Sequence, residues 1–498
     1  MNFYTKKIFV LSFISFFVTI NYMTAADSFI DFEIGKISDA ENAGRQMRSK
    51  WKQLEKLPNA FLNESGIRKL EGKHITFYTD IKSNTEVDRL PQIFDLLVSE
   101  LCAYFEVELA KYDKFHVRAF LIDDLSKFSK HGIINNGIDL RYGYSFQNQI
   151  WVRRQKSGYY QRHLFMHEGV HAFMFYAFGT SMPIWYCEGI AEMLATHKLE
   201  NGKLKLGWFP TDSKSVPNLG RIETVKKIIE NNDKNNNDKN KTKETTQKIN
   251  ISELSHLLTL DKKTAHEQIE LYEMCWSFVM FCEHHRRYCK AFRKLVFKLT
   301  DSNIDFAKRF IMLIARENKV DISTALLQLE ADWNDFKKNI CYDYDFNRAE
   351  IDFSPLSNNV TKNSTDNLFP DTIIHADRGW QNSGLKLEAG KQYKLTASGK
   401  FQLAEKPDTW RSEPDGITIK YNQKMPIGKL QAMIIPDINL QMPNFLNASN
   451  YNFLPLEYKT IGSNTTWQPT KSGLLLFKIN DAANSLHDNK GKITIKIK

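Results

Sequence analysis

Apolar and polar positions follow different periods along the chain, and each change of period predicts a new kind of element. Short apolar runs at 74–78 and 116–122 predict strands, because they are brief and rich in β-branched and aromatic residues. The stretch 88–105 between them has the period of an amphipathic helix. Residues 138–153 predict a pair of short strands. This part of the chain therefore alternates between strand and helix.

Long apolar helices are predicted next. Residues 158–178 predict a buried helix that Gly179 ends, since glycine readily takes the left-handed conformation after a last turn. Residues 184–194 predict a second helix that enters the core. Helical periodicity returns over 254–342, where 325–336 forms a closing amphipathic helix. These elements predict a largely helical body.

Composition divides the rest of the chain. Residues 229–248 are dominated by Asn, Asp, Lys, Thr and Glu without periodicity, which predicts a disordered insertion. Ser, Pro, Asn and Thr cluster over 351–366 and predict a linker. From 367 to 498, short alternating strands separated by turn signals predict an all-β sandwich. We therefore predict an α+β fold for the protein, with one domain over 27–350 and the sandwich as a second.

One motif in the first long helix carries chemistry. His167 and His171 are four residues apart, so a helix places both imidazoles on one face, within reach of a single zinc ion. Glu168 lies beside them, where a carboxylate can take a proton from a metal-bound water. A catalytic zinc needs three protein ligands and one open position, and Glu188 at the start of the next helix supplies the third. Without Glu188, the pair of histidines could be a chance pair on a helix surface.

His-Glu-x-x-His followed by Trp-x-x-Glu-Gly-x-Ala, beginning at Trp185, resembles the gluzincin metallopeptidases, the clan of thermolysin and the zinc aminopeptidases. The group that it resembles most is the secreted bacterial peptidase MA-like domains. The resemblance covers about half of the chain and implies a thermolysin/aminopeptidase-like domain with a small N-terminal sheet and a helical C-lobe. It implies His167, His171 and Glu188 as zinc ligands and Glu168 as general base. It also implies that an edge strand of the sheet binds the extended substrate backbone.

Two further residues have two interpretations each. Tyr272 lies in a stretch similar to the helix that carries the transition-state tyrosine of zinc aminopeptidases, which implies a donor to the developing oxyanion. A tyrosine at a helix start can also be a core residue with its hydroxyl in water. Glu192, one turn after Glu188, is either a partner that orients a ligand histidine or an ordinary solvated glutamate.

The end of the sandwich carries a second resemblance. Asp481, Ser485, Asp488 and Asn489 stand at the spacing of the calcium loop in the calcium-dependent galactose-binding jelly-roll lectins of bacteria. The resemblance implies a jelly-roll fold and a Ca²⁺ site, since calcium prefers clustered oxygen ligands. The alternative is a turn without metal, in which these side chains satisfy backbone amides. The histidine and glutamine that contact the sugar in those lectins have no counterpart after Asp415.

The N-terminal residues predict export. Lys6 and Lys7 precede an apolar run over 8–20 and small residues that end at Ala26, which is the pattern of a cleavable signal peptide over 1–26. The mature chain is then secreted or periplasmic, and no later apolar stretch is long enough to span a bilayer. The net charge is +10, or +8 without Lys6 and Lys7, and the lysines are scattered, which excludes a nucleic-acid stripe.

Six cysteines would permit disulfides in an oxidising compartment. Cys275, Cys282 and Cys289 follow one another at seven-residue spacing, too far apart along one helix to bridge one another. They are predicted to be small buried side chains, and the pairing of the other three cysteines stays open.

These patterns together predict a secreted zinc metallopeptidase that acts on peptide or protein substrates and carries an accessory sandwich for carbohydrate or surface binding. An endopeptidase is preferred over an aminopeptidase, because no Gly-Ala-Met-Glu-Asn run, which anchors a free amine in the aminopeptidases, precedes His167. The alternative is a catalytically inactive secreted binding protein on a zinc-peptidase scaffold. The complete set of His167, Glu168, His171 and Glu188 favours the enzyme.

Overall fold

The computed structural model describes most of the 498-residue chain. The described residues are 38–51, 54–129, 133–134, 140–179, 182–237, 253–260, 270–298, 302–354, 369–437, 446 and 456–498. The predicted signal segment, residues 238–248 of the predicted insertion and most of the predicted linker lie outside these ranges. Helices and several sheets make an α+β protein, as the sequence predicts. In the part of the chain that the structure describes, no helix is both long and apolar enough to cross a bilayer.

A five-stranded mixed sheet forms the N-terminal layer. Its strands are β1 (Arg68–Glu71), β2 (Ile75–Thr79), β3 (Val117–Ile122), β4 (Gly143–Phe146) and β5 (Gln149–Arg153). The strand order is β1-β2-β3-β5-β4, in which the three central strands are parallel and the two outer strands antiparallel to their neighbours. The strands predicted at 74–78 and 116–122 are confirmed within one residue, and the pair predicted within 138–153 is the hairpin of β4 and β5.

Helices pack on this sheet and continue into a helical body. Their bounds are α1 Ser38–Lys50, α2 Asn59–Ser65, α3 Thr85–Asp88, α4 Leu90–Tyr104, α5 Leu125–Ser129, α6 Gly158–Phe178, α7 Ile184–Ala195, α8 Arg221–Asn237, α9 Leu254–Thr259, α10 Leu271–His284, α11 Cys289–Leu295, α12 Asn303–Asn318, α13 Ile322–Asn339 and α14 Phe346–Ala349. A two-stranded hairpin, β6 (Lys198–Glu200) and β7 (Lys203–Lys205), follows α7. One buried apolar cluster runs through the sheet, α4, α6, α7 and the helices behind them.

Helix α6 begins and ends where the sequence predicts. The Ser157 side chain caps it by accepting a hydrogen bond from the Tyr160 amide at 3.2 Å. Gly179 ends it at a φ of 68°, and its own N–H donates to the Phe175 carbonyl. Helix α7 then crosses α10 closely, because a Cβ at Gly189 would lie only 2.4 Å from Cγ2 of Val279. The buried packing on both sides fixes where α6 and α7 project their polar side chains.

Two details differ from the sequence predictions. Helix α8 runs to Asn237, so the predicted disordered insertion over 229–248 is helical in its first part. Cys289 begins α11 and is half-buried, so it is not on the same helix as the buried Cys275 and Cys282. All six cysteines are free thiols. The sequence left open whether Cys102, Cys187 and Cys341 form disulfides, and in the structure none of them does.

The C-terminal residues form a sandwich of two β-sheets. Its strands are β8 Thr372–His375, β9 Gln381–Leu387, β10 Tyr393–Ser398, β11 Phe401–Ala404, β12 Trp410–Ser412, β13 Asp415–Asn422, β14 Met425–Pro436, β15 Glu457–Thr460, β16 Asn464–Trp467, β17 Gly473–Ile479 and β18 Lys490–Ile497. One sheet has the order β12-β11-β18-β10-β16 with β8 on β18, and the other has β13-β14-β17-β9 with β15 on β14. Side chains from both sheets, such as Leu395 and Phe477, meet in one buried core.

The sandwich packs directly against the helical body. Trp380, just before β9, is buried and donates its indole N–H to Asp335 of α13 at 2.8 Å. Apolar side chains from both units surround this contact: Ala331, Ile351, Trp380, Met433, Ile435 and Leu476. The loop between β17 and β18 also takes part, because its Ala483 and Leu486 are buried in the core of the helical body. The two units therefore share a continuous buried junction.

Candidate metal centre

Three donor atoms converge between α6 and α7. The Nε2 atoms of His167 and His171, one helical turn apart, are 3.0 Å from each other. Oε2 of Glu188, which projects from the first turns of α7, lies 3.3 Å from the first of these nitrogens and 3.2 Å from the second. The structure thus brings together the three residues that the sequence predicts as metal ligands.

The triangle of donor atoms can be compared with the needs of a zinc ion. Tetrahedral zinc binds nitrogen and carboxylate oxygen at about 2.0–2.1 Å, which places neighbouring ligand atoms about 3.3 Å apart. The three separations of 3.0, 3.2 and 3.3 Å lie close to that value. The donor set of two histidines and one glutamate is also one that catalytic zinc uses. The residues present therefore fit a zinc ion.

The other ring nitrogen of each histidine lies near a side chain of α7, although Nδ1 of His167 makes no hydrogen bond among the described residues. Nδ1 of His167 is 3.4 Å from Oε1 of Glu192, a long electrostatic contact. Nδ1 of His171 is 3.5 Å from the Cys187 thiol. A proton on each Nδ1 leaves each Nε2 with a free lone pair, which is the tautomer that a metal ligand needs. Glu192 is 2% exposed, so the solvated interpretation of this residue does not hold.

The charges of the cluster are strongly coupled. Burial on its own would raise the pKa of Glu188, but the two histidines outweigh it and the pKa ends well below its usual range. Burial would likewise lower the pKa of His171, but the Glu188 carboxylate outweighs it and the pKa is raised. Glu188 therefore remains an anion. A divalent cation bound at the cluster could neutralise this charge in place of the His171 imidazolium.

Glu168 lies against the edge strand of the sheet. It is buried, and a Cβ built on Gly143 of β4 would lie 2.6 Å from its Oε1 atom. The Ser145 side chain of the same strand lies near the carboxylate. Burial is the largest influence on its pKa and raises it. The edge strand thus forms one wall around the predicted general base, with its smallest residue at the point of contact.

Tyr272 lies in the first turn of α10, beside the cluster. Its ring centroid is 6.4 Å from that of His167, and the residue is 39% exposed. The Glu188 charge, followed by burial and the Glu168 charge, raises the pKa of the phenol. The hydroxyl therefore stays protonated, and its role as an oxyanion donor stays a prediction.

A buried ionic network surrounds Glu192. Its Oε2 is 3.0 Å from Nε2 of His163, which stands one turn before His167 on α6. Arg221, the first residue of α8, donates to both carboxylate oxygens at 3.1 and 2.9 Å and also to Oε1 of Glu273 at 2.7 Å. Sequence reasoning missed these partners. The four-residue spacing before His167 could have indicated His163, whereas nothing local marks Arg221.

The loop between β17 and β18 brings some of the predicted calcium ligands together. Asp481 is buried, and its carboxylate accepts from the Ala482 amide at 2.7 Å and from Nδ2 of Asn489 at 3.2 Å. Burial raises the pKa of Asp481. Among the described residues, Oδ1 of Asp488 and Oδ1 of Asn489 are buried without a hydrogen-bond partner. The Ser485 hydroxyl contacts the side chain of Asn484 at 3.4 Å rather than these carboxylates.

Comparisons with known proteins add little to this geometry. No family model matches the chain, and no curated protein matches it. One solved structure to which the chain is similar is described as "EclA N-terminal domain; PllA-like lectin". That match has 20% sequence identity and a TM-score of 0.20, and it covers 27% of this chain and 98% of that chain. A TM-score of this size does not establish a shared fold.

Proposed function

We propose that the chain is a secreted zinc metallopeptidase with a thermolysin/aminopeptidase-like catalytic domain. The observation that carries the proposal is the triangle of His167, His171 and Glu188, with Glu168 buried beside it. A zinc ion held by this triangle would act as a Lewis acid that polarises the scissile carbonyl and lowers the pKa of an attacking water.

The side chains around the triangle have separate roles in this proposal. Glu168 accepts the proton of the attacking water and passes it to the leaving amine, and its raised pKa makes it a stronger base than a solvated glutamate. The protonated phenol of Tyr272 donates a hydrogen bond to the oxyanion as it develops. Glu192 holds the ring of His167 through Nδ1.

Strand β4 is the proposed docking strand for the substrate. The Arg153 amide donates to the Tyr142 carbonyl, and Tyr144 pairs with Trp151, so these alternate residues turn their backbone groups towards β5. Gly143 and Ser145 therefore turn theirs outwards, and among the described strands none pairs with that edge. An extended peptide can add to this edge next to Glu168. Because β4 carries no carboxylate for a free amine, we favour an endopeptidase.

The test is Glu168→Gln in the purified full-length protein. The variant should keep zinc, measured by elemental analysis, and should lose cleavage of a peptide library that the wild type digests, measured by mass spectrometry. Glu200→Gln, an exposed glutamate on β6, is the matched control and should behave as the wild type. If Glu168→Gln cleaves at the wild-type rate, the mechanism is wrong. If the wild type and both variants bind zinc but none of them cleaves a peptide, the alternative function is favoured, namely a catalytically inactive binding protein.

A calcium site in the sandwich is a second proposal. It is supported by the two buried oxygens of Asp488 and Asn489 that lack a donor among the described residues. Asn489 also contacts the Asp481 carboxylate through Nδ2. The Asp481 contact with the Ala482 amide supports the metal-free turn instead. Saturating calcium should raise the melting temperature of the full-length protein, magnesium should not, and Asp481→Ala should abolish the shift. An unchanged melting temperature would remove the site, and carbohydrate binding remains a separate prediction.

A further inference from the structure

Arg221 forms ion pairs with two glutamates close to the candidate metal centre, Glu192 and Glu273. Its Nε and Nη2 atoms bind the two oxygens of Glu192, and its Nη1 atom binds Glu273. The side chains of Arg221, Glu192 and Glu273 are 11%, 3% and 13% exposed, so the ion pairs are largely shielded from water. Each belongs to a different helix: Glu192 to α7, Arg221 to α8 and Glu273 to α10.

The geometry of these contacts requires a guanidinium group. The planar guanidinium of arginine can donate two parallel hydrogen bonds to one carboxylate while a further N–H donates to a second carboxylate. The ammonium group of lysine is a single point charge and cannot match this geometry. Two buried carboxylates also repel each other, and the one cation between them offsets that repulsion. Without Arg221, Glu192 and Glu273 would be left as partly uncompensated buried charges.

Both ends of this network reach residues of the proposed mechanism. Glu192 lies against Nδ1 of His167, a proposed metal ligand. Glu273 immediately follows Tyr272, the proposed oxyanion donor, in the first turn of α10. The Glu273 ion pair therefore holds the backbone next to the residue that carries the phenol.

We propose that Arg221 is a positioning residue that holds Glu192 against the metal ligand His167 and, through Glu273, fixes the helix turn that carries Tyr272. This inference rests on the proposed metallopeptidase function. It assigns one residue to two effects that can be measured separately, namely metal affinity through Glu192 and transition-state stabilisation through Glu273.

The test compares Arg221→Lys with Arg293→Lys in the full-length protein. Arg293 is the matched control because it binds Glu283 on the same helix α10, with Nε 3.0 Å from Oε1, but contacts none of the proposed site residues. Zinc affinity is measured by competition with a chromophoric chelator, and the visible spectrum of the cobalt-substituted protein reports the ligand geometry. Arg221→Lys should weaken zinc binding about 10–100-fold and change the cobalt spectrum, as losses of partners to ligand histidines commonly do. Arg293→Lys should do neither.

The second arm uses Glu273→Gln, which also carries the test if Arg221→Lys does not fold. This variant should keep zinc affinity and lower kcat with KM unchanged, and the loss should vanish in a Tyr272→Phe background, because the two changes act on one interaction. Wild-type zinc affinity in Arg221→Lys, or equal kcat losses from Glu273→Gln in both backgrounds, would overturn the positioning role and leave the metallopeptidase proposal standing. Absence of zinc binding by the wild type would overturn both.

Discussion

Replacement of Gly143 by alanine should separate activity from stability. The added Cβ would lie 2.6 Å from Oε1, 3.0 Å from Cγ and 3.2 Å from the carboxyl carbon of Glu168, whereas ordinary contacts begin near 3.4 Å. The carboxylate is the flexible end of the Glu168 side chain and can move away by about 1 Å. Cγ must also give way by a few tenths of an ångström. A misplacement of about that size can cost about 10²-fold in rate. Alanine in a strand is also about 0.5–1 kcal/mol more favourable than glycine.

We therefore expect Gly143→Ala to lower kcat/KM about 100-fold while its unfolding free energy stays equal to or slightly above that of the wild type. Peptide cleavage by mass spectrometry and urea unfolding by circular dichroism measure the two quantities. The control is Gly158→Ala, where the new Cβ would lie 3.0 Å from Oε2 of Glu86, a glutamate outside the site. That variant should keep full activity. Wild-type activity in Gly143→Ala would refute the assignment of Glu168 as the base held against β4.

Two further predictions concern single contacts. Tyr272→Phe should lower kcat about 10²–10³-fold with zinc content unchanged, because one oxyanion donor is commonly worth that much; steady-state kinetics and elemental analysis check it, and a wild-type kcat would remove the phenol from the mechanism. Trp380→Phe should destabilise the full-length protein by about 1–3 kcal/mol, because Asp335 loses the hydrogen bond that it accepts from the indole N–H across the buried junction. Chemical unfolding measures this change. A loss below about 0.5 kcal/mol would show that the hydrogen bond contributes little to stability.

The sequence predicted the parts of the site that lie on one helix or follow it closely. The four-residue spacing of His167 and His171 determines their common face on any helix. Only sixteen residues separate His171 from Glu188, so the third predicted ligand could lie on the next helix. The end of α6 at Gly179 was equally local, because it depends on one residue that takes a positive φ. Such features need no knowledge of the tertiary structure.

Other parts of the site could not be predicted, because they depend on packing between distant segments. Arg221 is 29 residues from Glu192 and 52 from Glu273, and only the crossing of α7, α8 and α10 brings the three together. The contact of Gly143 with Glu168 likewise depends on how the edge strand lies over α6. The helical start of the predicted insertion, up to Asn237, was missed because its polar composition concealed the continuation of α8.

The loop between β17 and β18 belongs to both units of the protein. Its oxygen-bearing side chains lie within the sandwich, while Ala483 and Leu486 are inserted into the helical body and Asn484 donates to the Tyr342 carbonyl at 2.9 Å. A calcium ion bound by this loop would therefore stabilise the contact between the two units. Chelation would then loosen the attachment of the sandwich to the helical body, and a sugar approaching the loop would meet a surface that the helices of that body already cover.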